Sequence, residues 1–190
     1  MHPEEKDLIE SLKAGDGAAF RQVVETFKDK VYNSAIGIVQ NEEDAEDIAQ
    51  EVFIAVHRSI HSFKGDSSLS TWIYRITLTR SLDHLRKQKR QKRWAIVKRI
   101  FQGEEEKISA HSFHHPGVQL ENKEKAAVLF SALSKLPETQ RAAFTLHHVE
   151  ELSHKEISEV MNVTTGAVES LLHRAKQNLR KHLSDYYKNE

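Results

Sequence analysis

A capped helical pair near the C-terminus constrains the fold of this chain more than any other sequence feature. Ser153 and Glu156 have the spacing of a capping box, in which each side chain satisfies a backbone donor of the other residue. Asn162 follows, and asparagine tolerates the left-handed backbone that a tight turn needs. Thr164 or its neighbour can then cap a second helix. The sequence therefore predicts a helix-turn-helix, with a plain helical hairpin as the alternative.

The second helix of this pair has an apolar face and a polar face. In a helix-turn-helix this helix lies in the major groove, where early residues reach base edges and later residues reach phosphates. Arg174 could bind guanine through two hydrogen bonds. We expect contacts with DNA from the following residues: Thr165, Gly166, Glu169, Ser170, His173, Arg174 and Lys176.

Glu169 is unexpected on a helix that approaches a polyanion. A carboxylate at a base edge can accept a hydrogen bond from the cytosine amino group. It also lies four residues before His173 and could orient that ring. The alternative is a residue near the helix start that the macrodipole alone favours.

Apolar residues recur at helical spacing through most of the remaining chain. We expect an all-α fold made of two small helical domains joined by a flexible linker, with the helix-turn-helix in the second domain. The predicted domains are residues 1–95 and 121–190, with the linker at 96–120. The predicted helices before the helix-turn-helix are 4–14, 17–40, 43–61, 70–93, 121–135 and 137–149.

Charge is segregated along the chain although the formal net charge is zero. Residues 4–51 contain 13 acidic and 5 basic side chains, whereas residues 75–99 contain 10 basic and 1 acidic side chain. The two blocks predict one surface for a basic partner and another for an acidic partner, unless both are solvated faces. The chain has no cysteine and no apolar run long enough to span a bilayer, and its start lacks the apolar core of a signal peptide. These features favour a cytoplasmic protein.

Two stretches of the chain carry a family resemblance. LPETQRAAFTLHHVEELSHKEISEVMNVTTGAVESLLHRAKQNLRKHL resembles the promoter-reading C-terminal domain of bacterial sigma factors. NEEDAEDIAQEVFIAVHRSIHSF and the following FKGDSSLSTWIYRITLTRSLDHLRKQKR resemble their central N-terminal domain. The layout is that of the extracytoplasmic-function (ECF) group. The resemblance implies a protein that is not an enzyme, needs no cofactor or metal, and directs core RNA polymerase to promoters.

The resemblance also implies roles for individual segments. The helix near residues 44–58 would bind the β′ subunit of core polymerase, which the protein would contact together with β; the C-terminal helix would read the −35 element. Residues 63–93 would recognise and melt the −10 element, where Trp72 and Tyr74 could supply aromatic faces, although an apolar setting favours core packing for Trp72. The polymerase candidates are Asp44, Asp47, Gln50, Glu51 and Ile54, and the −10 candidates are Lys64, Asp66, Ser67, Ser68, Trp72, Arg75, Thr79, Arg80, Arg86 and Lys87.

Members of the group are often held inactive by an anti-sigma factor, commonly membrane-bound, so the resemblance implies that partner as well. Two other hypotheses compete with it. One is a helix-turn-helix repressor or activator that acts without being a polymerase subunit. The other is a metal enzyme using His111, His114 and His115, or the pairs His147/Glu150 and Glu151/His154, but HExxH is absent.

Overall fold

A computed structural model describes residues 3–102 and 123–187 of the chain, and these residues form helices and no strand. The prediction of an all-α fold is confirmed. The N-terminal half contains α1 (Pro3–Lys13), α2 (Gly17–Val39), α3 (Glu42–Ser59), a 3-10 turn (Ile60–Ser62) and α4 (Leu69–Gln102). The C-terminal half contains α5 (Lys123–Ser134), α6 (Glu138–His148), α7 (His154–Met161) and α8 (Thr165–Tyr187).

Most helix boundaries lie where local capping signals predict them. Asn41 Oδ1 accepts a hydrogen bond from the Asp44 N–H at 2.8 Å, so Asn41 caps α3 as expected. Pro137 is the residue before α6 rather than its first residue. The main difference is α4, which continues to Gln102 instead of ending near residue 93. Residues 103–122, most of the predicted linker, lie outside the described residues, and the domain boundaries stay predictions.

The N-terminal half surrounds a core of aliphatic side chains contributed by all four of its helices. Val23 and Ile38 of α2 and Val52 of α3 are fully buried, and Ile73 of α4 is 1% exposed. Ile9 and Leu12 attach α1 to the same core, since each is 5% exposed. The C-terminal half adds a smaller apolar cluster between α5 and α8, formed by Ala132, Leu133, Leu136, Ala175 and Leu179.

The two halves pack directly against each other. Helix α6 contacts α2, and α7 contacts α4, so that buried residues of both halves belong to one apolar cluster. The closest approach is at Gly37 of α2, where a β-carbon would lie 2.4 Å from Thr145 Cγ2 of α6. Only glycine allows two helices to meet at this distance. In this arrangement the halves therefore form a compact unit rather than two separated bodies.

Candidate polymerase and nucleic-acid interfaces

The helix-turn-helix forms as its capping signals predict. Ser153 Oγ accepts a hydrogen bond from the Glu156 N–H at 3.3 Å, and the Glu156 carboxylate accepts one from the Ser153 N–H at 2.9 Å. The Ser153 hydroxyl also donates to Glu156 Oε2 at 2.6 Å, and this bond, together with the one from the Ser153 N–H, lowers the pKa of Glu156. Asn162 has φ 54° and ψ 50°, which is the left-handed conformation that turns the chain. Thr164, not its neighbour, then caps α8 by accepting from the Ala167 N–H at 3.2 Å.

The two faces of α8 are divided as predicted. Val168 and Ala175 are fully buried, while Leu171 is half-buried. The predicted DNA-contacting side chains are exposed, as such contacts require, and the contacts themselves stay predictions. The exposed residues are Thr165, Gly166, Glu169, Ser170, His173, Arg174 and Lys176.

Glu169 contacts a different histidine from the one expected. Its Oε1 lies 3.8 Å from His154 Nδ1 at the start of α7, whereas the His173 ring lies 2.9 Å from Gln177 Nε2. The possibility that Glu169 orients His173 is therefore not realised. His154 belongs to a cluster of rings, because its centroid lies 5.1 Å from that of His147. Glu169 thus lies near the start of α7 and is exposed toward solvent.

The outer face of α3 carries four of the five predicted polymerase-binding residues. Asp47, Gln50 and Glu51 are exposed, and Ile54 is 49% exposed. The opposite face is buried at Ala45, Ile48, Val52 and Val56. An exposed isoleucine next to carboxylates suits a partner surface that is apolar at its centre and basic at its rim.

Asp44, the fifth predicted polymerase-binding residue, has contacts within the chain. His84 Nε2 lies 3.0 Å from Asp44 Oδ1, and Gln88 Nε2 donates to Asp44 Oδ2 at 2.8 Å. Both partners belong to α4, and the side chain of Asp44 is 23% exposed. The carboxylate therefore joins α3 to α4, a role that sequence spacing could not indicate because the partners are 40 or more residues away.

A basic groove of about 800 Å³ lies along the middle of α4. Arg80 and Glu51 face each other across it at 3.9 Å, with both side chains largely exposed. Such a pair holds its cation loosely, because solvent screens exposed charges. The groove extends past the predicted −10 residues to Arg93, and its lining is Glu51, Arg80, Asp83, His84, Arg86, Lys87, Lys89, Arg90 and Arg93.

A second depression lies beside Trp72, between α3 and α4. Trp72 is half-buried and its ring centroid lies 5.1 Å from that of Phe63, so the expected core packing is present on one side. Its other side lines the depression together with Thr79, whose hydroxyl donates to the Arg75 carbonyl at 2.8 Å. The loop before α4 presents Lys64, Asp66, Ser67 and Ser68 near this helix start. Ser68 also caps α4, because its hydroxyl accepts from the Thr71 N–H at 3.1 Å.

Tyr74 and Arg75, which were expected to contact the −10 element, instead form hydrogen bonds between the two halves. Tyr74 is 3% exposed, and its hydroxyl donates to Glu150 Oε2 at 2.7 Å, so the suggestion that Tyr74 offers an aromatic face to DNA is wrong in this arrangement. Arg75 Nε donates at 2.8 Å to the carbonyl of Glu159, which lies in the last turn of α7. A cation at a helix C-terminus is stabilised by the unpaired carbonyls there.

Burial of this contact changes the acidity of both partners of the tyrosine–glutamate pair. Desolvation raises the pKa of Glu150, against the opposing effects of the Tyr74 hydroxyl and the nearby Lys30 ammonium. Desolvation and the hydrogen bond to Glu150 also raise the pKa of Tyr74, so the phenol stays protonated. One further contact joins the halves, an ion pair of 2.8 Å between Lys89 Nζ and Glu138 Oε1.

Neither a metal centre nor a membrane-spanning helix occurs within residues 3–102 and 123–187. In that part of the chain the histidines, aspartates and glutamates form no group of three or more that could hold a metal ion. His111, His114 and His115 lie outside the described residues. No helix in the described ranges is long and apolar enough to cross a membrane.

Comparison with known families gives the same two segments that the sequence motifs distinguish. Residues 23–91 match the family model described as Sigma-70 region 2, and residues 122–179 match the model described as Sigma-70, region 4. The chain is 34% identical to the ECF RNA polymerase sigma factor SigW of Bacillus subtilis over 95% of this chain and 97% of the relative. It is 32% identical to the ECF RNA polymerase sigma-E factor of Escherichia coli K12 over 90% of this chain and 89% of the relative.

Solved structures share the fold at lower sequence identity. CnrH, in complex with the cytosolic domain of CnrY, superposes with a TM-score of 0.69 at 22% identity, covering 95% of this chain and 97% of that chain. The sigma factor RpoE from Bartonella quintana, in complex with the anti-sigma factor NepR, superposes with a TM-score of 0.63 at 21% identity, covering 87% and 96%. These likenesses establish only the fold of the chain.

Proposed function

The chain belongs to the ECF group of RNA polymerase sigma factors, which are transcription initiation factors, and we propose that it divides promoter recognition between its two halves. The N-terminal half binds core polymerase and the opened −10 element, and the C-terminal half reads the −35 duplex. The observation that carries this division is the placement of opposite charges on different helices. An acidic, partly apolar face lies on α3, whereas basic residues line α4 and the exposed side of α8.

The polymerase-binding surface is the exposed part of α3. Ile54 provides the apolar centre, and Asp47 and Glu51 provide charge that a basic helical partner on the β′ subunit complements. Asp44 acts indirectly, by holding α3 against α4 through His84. This surface is separate from the recognition helix, so polymerase binding and DNA reading can be altered independently.

The −10 surface combines the basic groove on α4 with the loop at residues 63–68. Opened strands bind where cations follow the backbone and a ring offers a stacking face. Arg80, Arg86 and Lys87 supply charge along the groove, and the exposed side of Trp72 supplies the ring. The loop residues Lys64, Asp66, Ser67 and Ser68, together with Arg75 and Thr79, complete the proposed surface.

The −35 surface is the outward face of α8. Arg174 contacts base edges through two donors, Ser170 and His173 contact neighbouring bases, and Lys176 contacts the backbone. Thr165 and Gly166 bring the helix start close to the duplex, and Glu169 selects against bases that offer no donor. A carboxylate in this position exchanges affinity for selectivity, since it repels every phosphate but accepts a hydrogen bond only from certain bases.

The −10 surface is fully available only after the halves separate. In the docked arrangement Arg75, one of the proposed −10 residues, donates to the Glu159 carbonyl of α7, and separation releases it. Joined to one polymerase, the two weak DNA contacts then gain effective concentration.

The chain itself makes and breaks no bonds in this function and acts in the cytoplasm, where core polymerase and promoter DNA are found. An anti-sigma factor is a further proposed partner, because the superposed RpoE structure contains one; in this group the anti-sigma factor is commonly membrane-bound. Such a partner would act by keeping the halves from separating.

In vitro transcription tests the proposed function. Purified core polymerase is combined with this protein and a genomic template library, and the 5′ ends of the transcripts are mapped. We expect defined start sites, each preceded by shared −10 and −35 sequences. Random initiation would refute the sigma-factor role, and promoter binding without core polymerase would indicate a repressor or activator instead.

A further inference from the structure

Helix α1 contacts both ends of the loop that precedes α4. Lys13 Nζ donates to the Phe63 carbonyl at 2.8 Å, at the first residue after the 3-10 turn. Glu5 Oε1 accepts from the Leu69 N–H at 2.7 Å, at the first residue of α4. The partners are 50 and 64 residues apart in the sequence, so neither contact is a product of local chain geometry.

Each contact satisfies a backbone group that would otherwise lack a helical partner. The first N–H groups of a helix have no acceptor within it, and a carboxylate there is further favoured by the helix dipole. Ser68 caps the Thr71 N–H locally, so α4 receives one cap from its own sequence and one from α1. Both α1 contacts involve a charged side chain, which makes them stronger than hydrogen bonds between neutral groups.

The helix that provides these contacts is firmly anchored. Glu5 and Lys13 are two turns apart, about 12 Å along the helix axis. Between them Ile9 and Leu12 are each 5% exposed in the core of the N-terminal half. Loop ends held by a rigid helix keep a fixed separation, and the loop between them keeps a narrower range of conformations than a free loop would.

We propose that α1 acts as a clamp on the 63–69 loop, with Glu5 and Lys13 as positioning residues that set −10 selectivity. The inference rests on the proposed function of that loop as part of the −10 surface. The Phe63 ring, whose backbone carbonyl accepts from Lys13, packs on Trp72, so the clamp also fixes the Trp72 ring at the edge of the depression between α3 and α4. Selectivity for a base of the opened −10 strand needs its contacts held within a fraction of an ångström, which a loop fixed at both ends provides.

The test uses reconstituted holoenzyme and two promoter libraries, one randomised at the −10 element and one at the −35 element. Glu5→Ala and Lys13→Met are compared with Glu10→Ala and Lys6→Met, which remove the same charges from exposed positions of α1. We expect the two clamp variants to lower the ratio of preferred to disfavoured −10 sequences about three- to tenfold, the factor that corresponds to the net contribution of one typical hydrogen bond. The −35 preference and the affinity for core polymerase should not change. Glu5→Gln and Lys13→Arg, which keep an acceptor and a donor, should retain most of the selectivity.

The outcomes separate failure of the clamp from failure of the proposed function. If the wild-type protein shows no −10 preference, or if Asp66→Ala and Ser67→Ala leave that preference intact, the loop is not part of the −10 surface. If the loop variants lose −10 selectivity while the clamp variants keep it, the clamp is refuted. An equal loss of −10 and −35 preference would indicate that Glu5 and Lys13 have a purely structural role, and would refute the clamp. A thermal midpoint that is lowered equally in Glu5→Gln and Glu5→Ala would do the same.

Discussion

Gly37→Ala should open the two halves of the protein, because it adds a methyl group where α2 and α6 meet most closely. The new β-carbon would lie 2.4 Å from Thr145 Cγ2, 2.8 Å from its Oγ1 and 3.2 Å from its Cβ. Thr145 is 1% exposed, so its side chain has no free space into which to turn. The docked arrangement must therefore shift or come apart.

The size of the effect follows from the overlap. Carbon atoms in contact are about 3.5–4.0 Å apart, so the added methyl lies more than about 1 Å too close. Overpacking of this kind costs about 1–3 kcal/mol. Alanine is also about 1 kcal/mol better than glycine within a helix, but that gain is present in both the docked and the open state and does not affect docking. The ratio of open to docked molecules should thus rise about 5- to 150-fold.

Energy transfer between two dyes measures the opening. The chain has no cysteine, so cysteines introduced at Arg21 and Ser131, which are exposed on α2 and α5, can be labelled selectively. Gly37→Ala should lower the transfer efficiency. Gly17→Ala is the matched control, since it makes the same change in α2 at a position with no heavy atom within 4 Å.

A second substitution separates the steric cause from a general loss of structure. Thr145→Ala combined with Gly37→Ala removes the two closest atoms and leaves the 3.2 Å contact with Thr145 Cβ, so transfer should recover. If Gly37→Ala leaves the transfer efficiency equal to that of Gly17→Ala, the close packing of α2 on α6 is not the arrangement in solution. If the double variant stays open, the overlap with Thr145 is not the cause.

Three further predictions concern the other surfaces. Arg174→Ala should cost about 1–3 kcal/mol at matched −35 sequences and less at mismatched ones, as measured by fluorescence anisotropy, whereas Lys176→Ala should weaken binding to all sequences alike. A uniform loss for Arg174→Ala would show that Arg174 contacts phosphate rather than a base. Asp47→Lys combined with Glu51→Lys should weaken binding to core polymerase in a pull-down titration and leave −35 DNA binding unchanged; unaltered polymerase affinity would contradict the docking face. Burial raises the pKa of Glu150, so the folded state binds the proton more tightly than the unfolded state does. Ionising the buried carboxyl therefore lowers the stability of the fold. This loss is absent below the pKa of the unfolded state and complete above the pKa of the folded state. Glu150→Gln should therefore raise the thermal midpoint relative to wild type at pH 8 and lose that advantage toward pH 4, and an equal difference at both values would contradict the assignment.

The helix-turn-helix is the part of the site that sequence reasoning described best. The Ser153 cap, the left-handed Asn162 and the division of α8 into buried and exposed faces depend on residues within a few positions of one another. Hydrogen bonds and helical periodicity at that range leave a direct sequence signal. The exposed face of α3 was predictable for the same reason.

The contacts between distant segments were not predictable in this way. Tyr74 and Glu150 are 76 residues apart, and Arg75 and Glu159 are 84 apart, so no spacing rule relates them. As a result, Tyr74 was interpreted as an available aromatic face although its hydroxyl is bonded across the two halves. Asp44 was interpreted as a polymerase contact although its carboxylate meets α4.

The sequence alone therefore determined the all-α class, the capped helix pair and the faces on which charge is exposed, because each depends on the order of neighbouring residues. The tertiary structure decided which of those charges are already paired: Arg75 with α7, Asp44 with α4, and the α1 clamp residues with the loop. Such pairs are fixed by which helices pack together, and that depends on burying apolar surface from the whole chain at once. The same charged residue can lie on an exposed face or in a contact between helices, and only the packed fold shows which of the two it does.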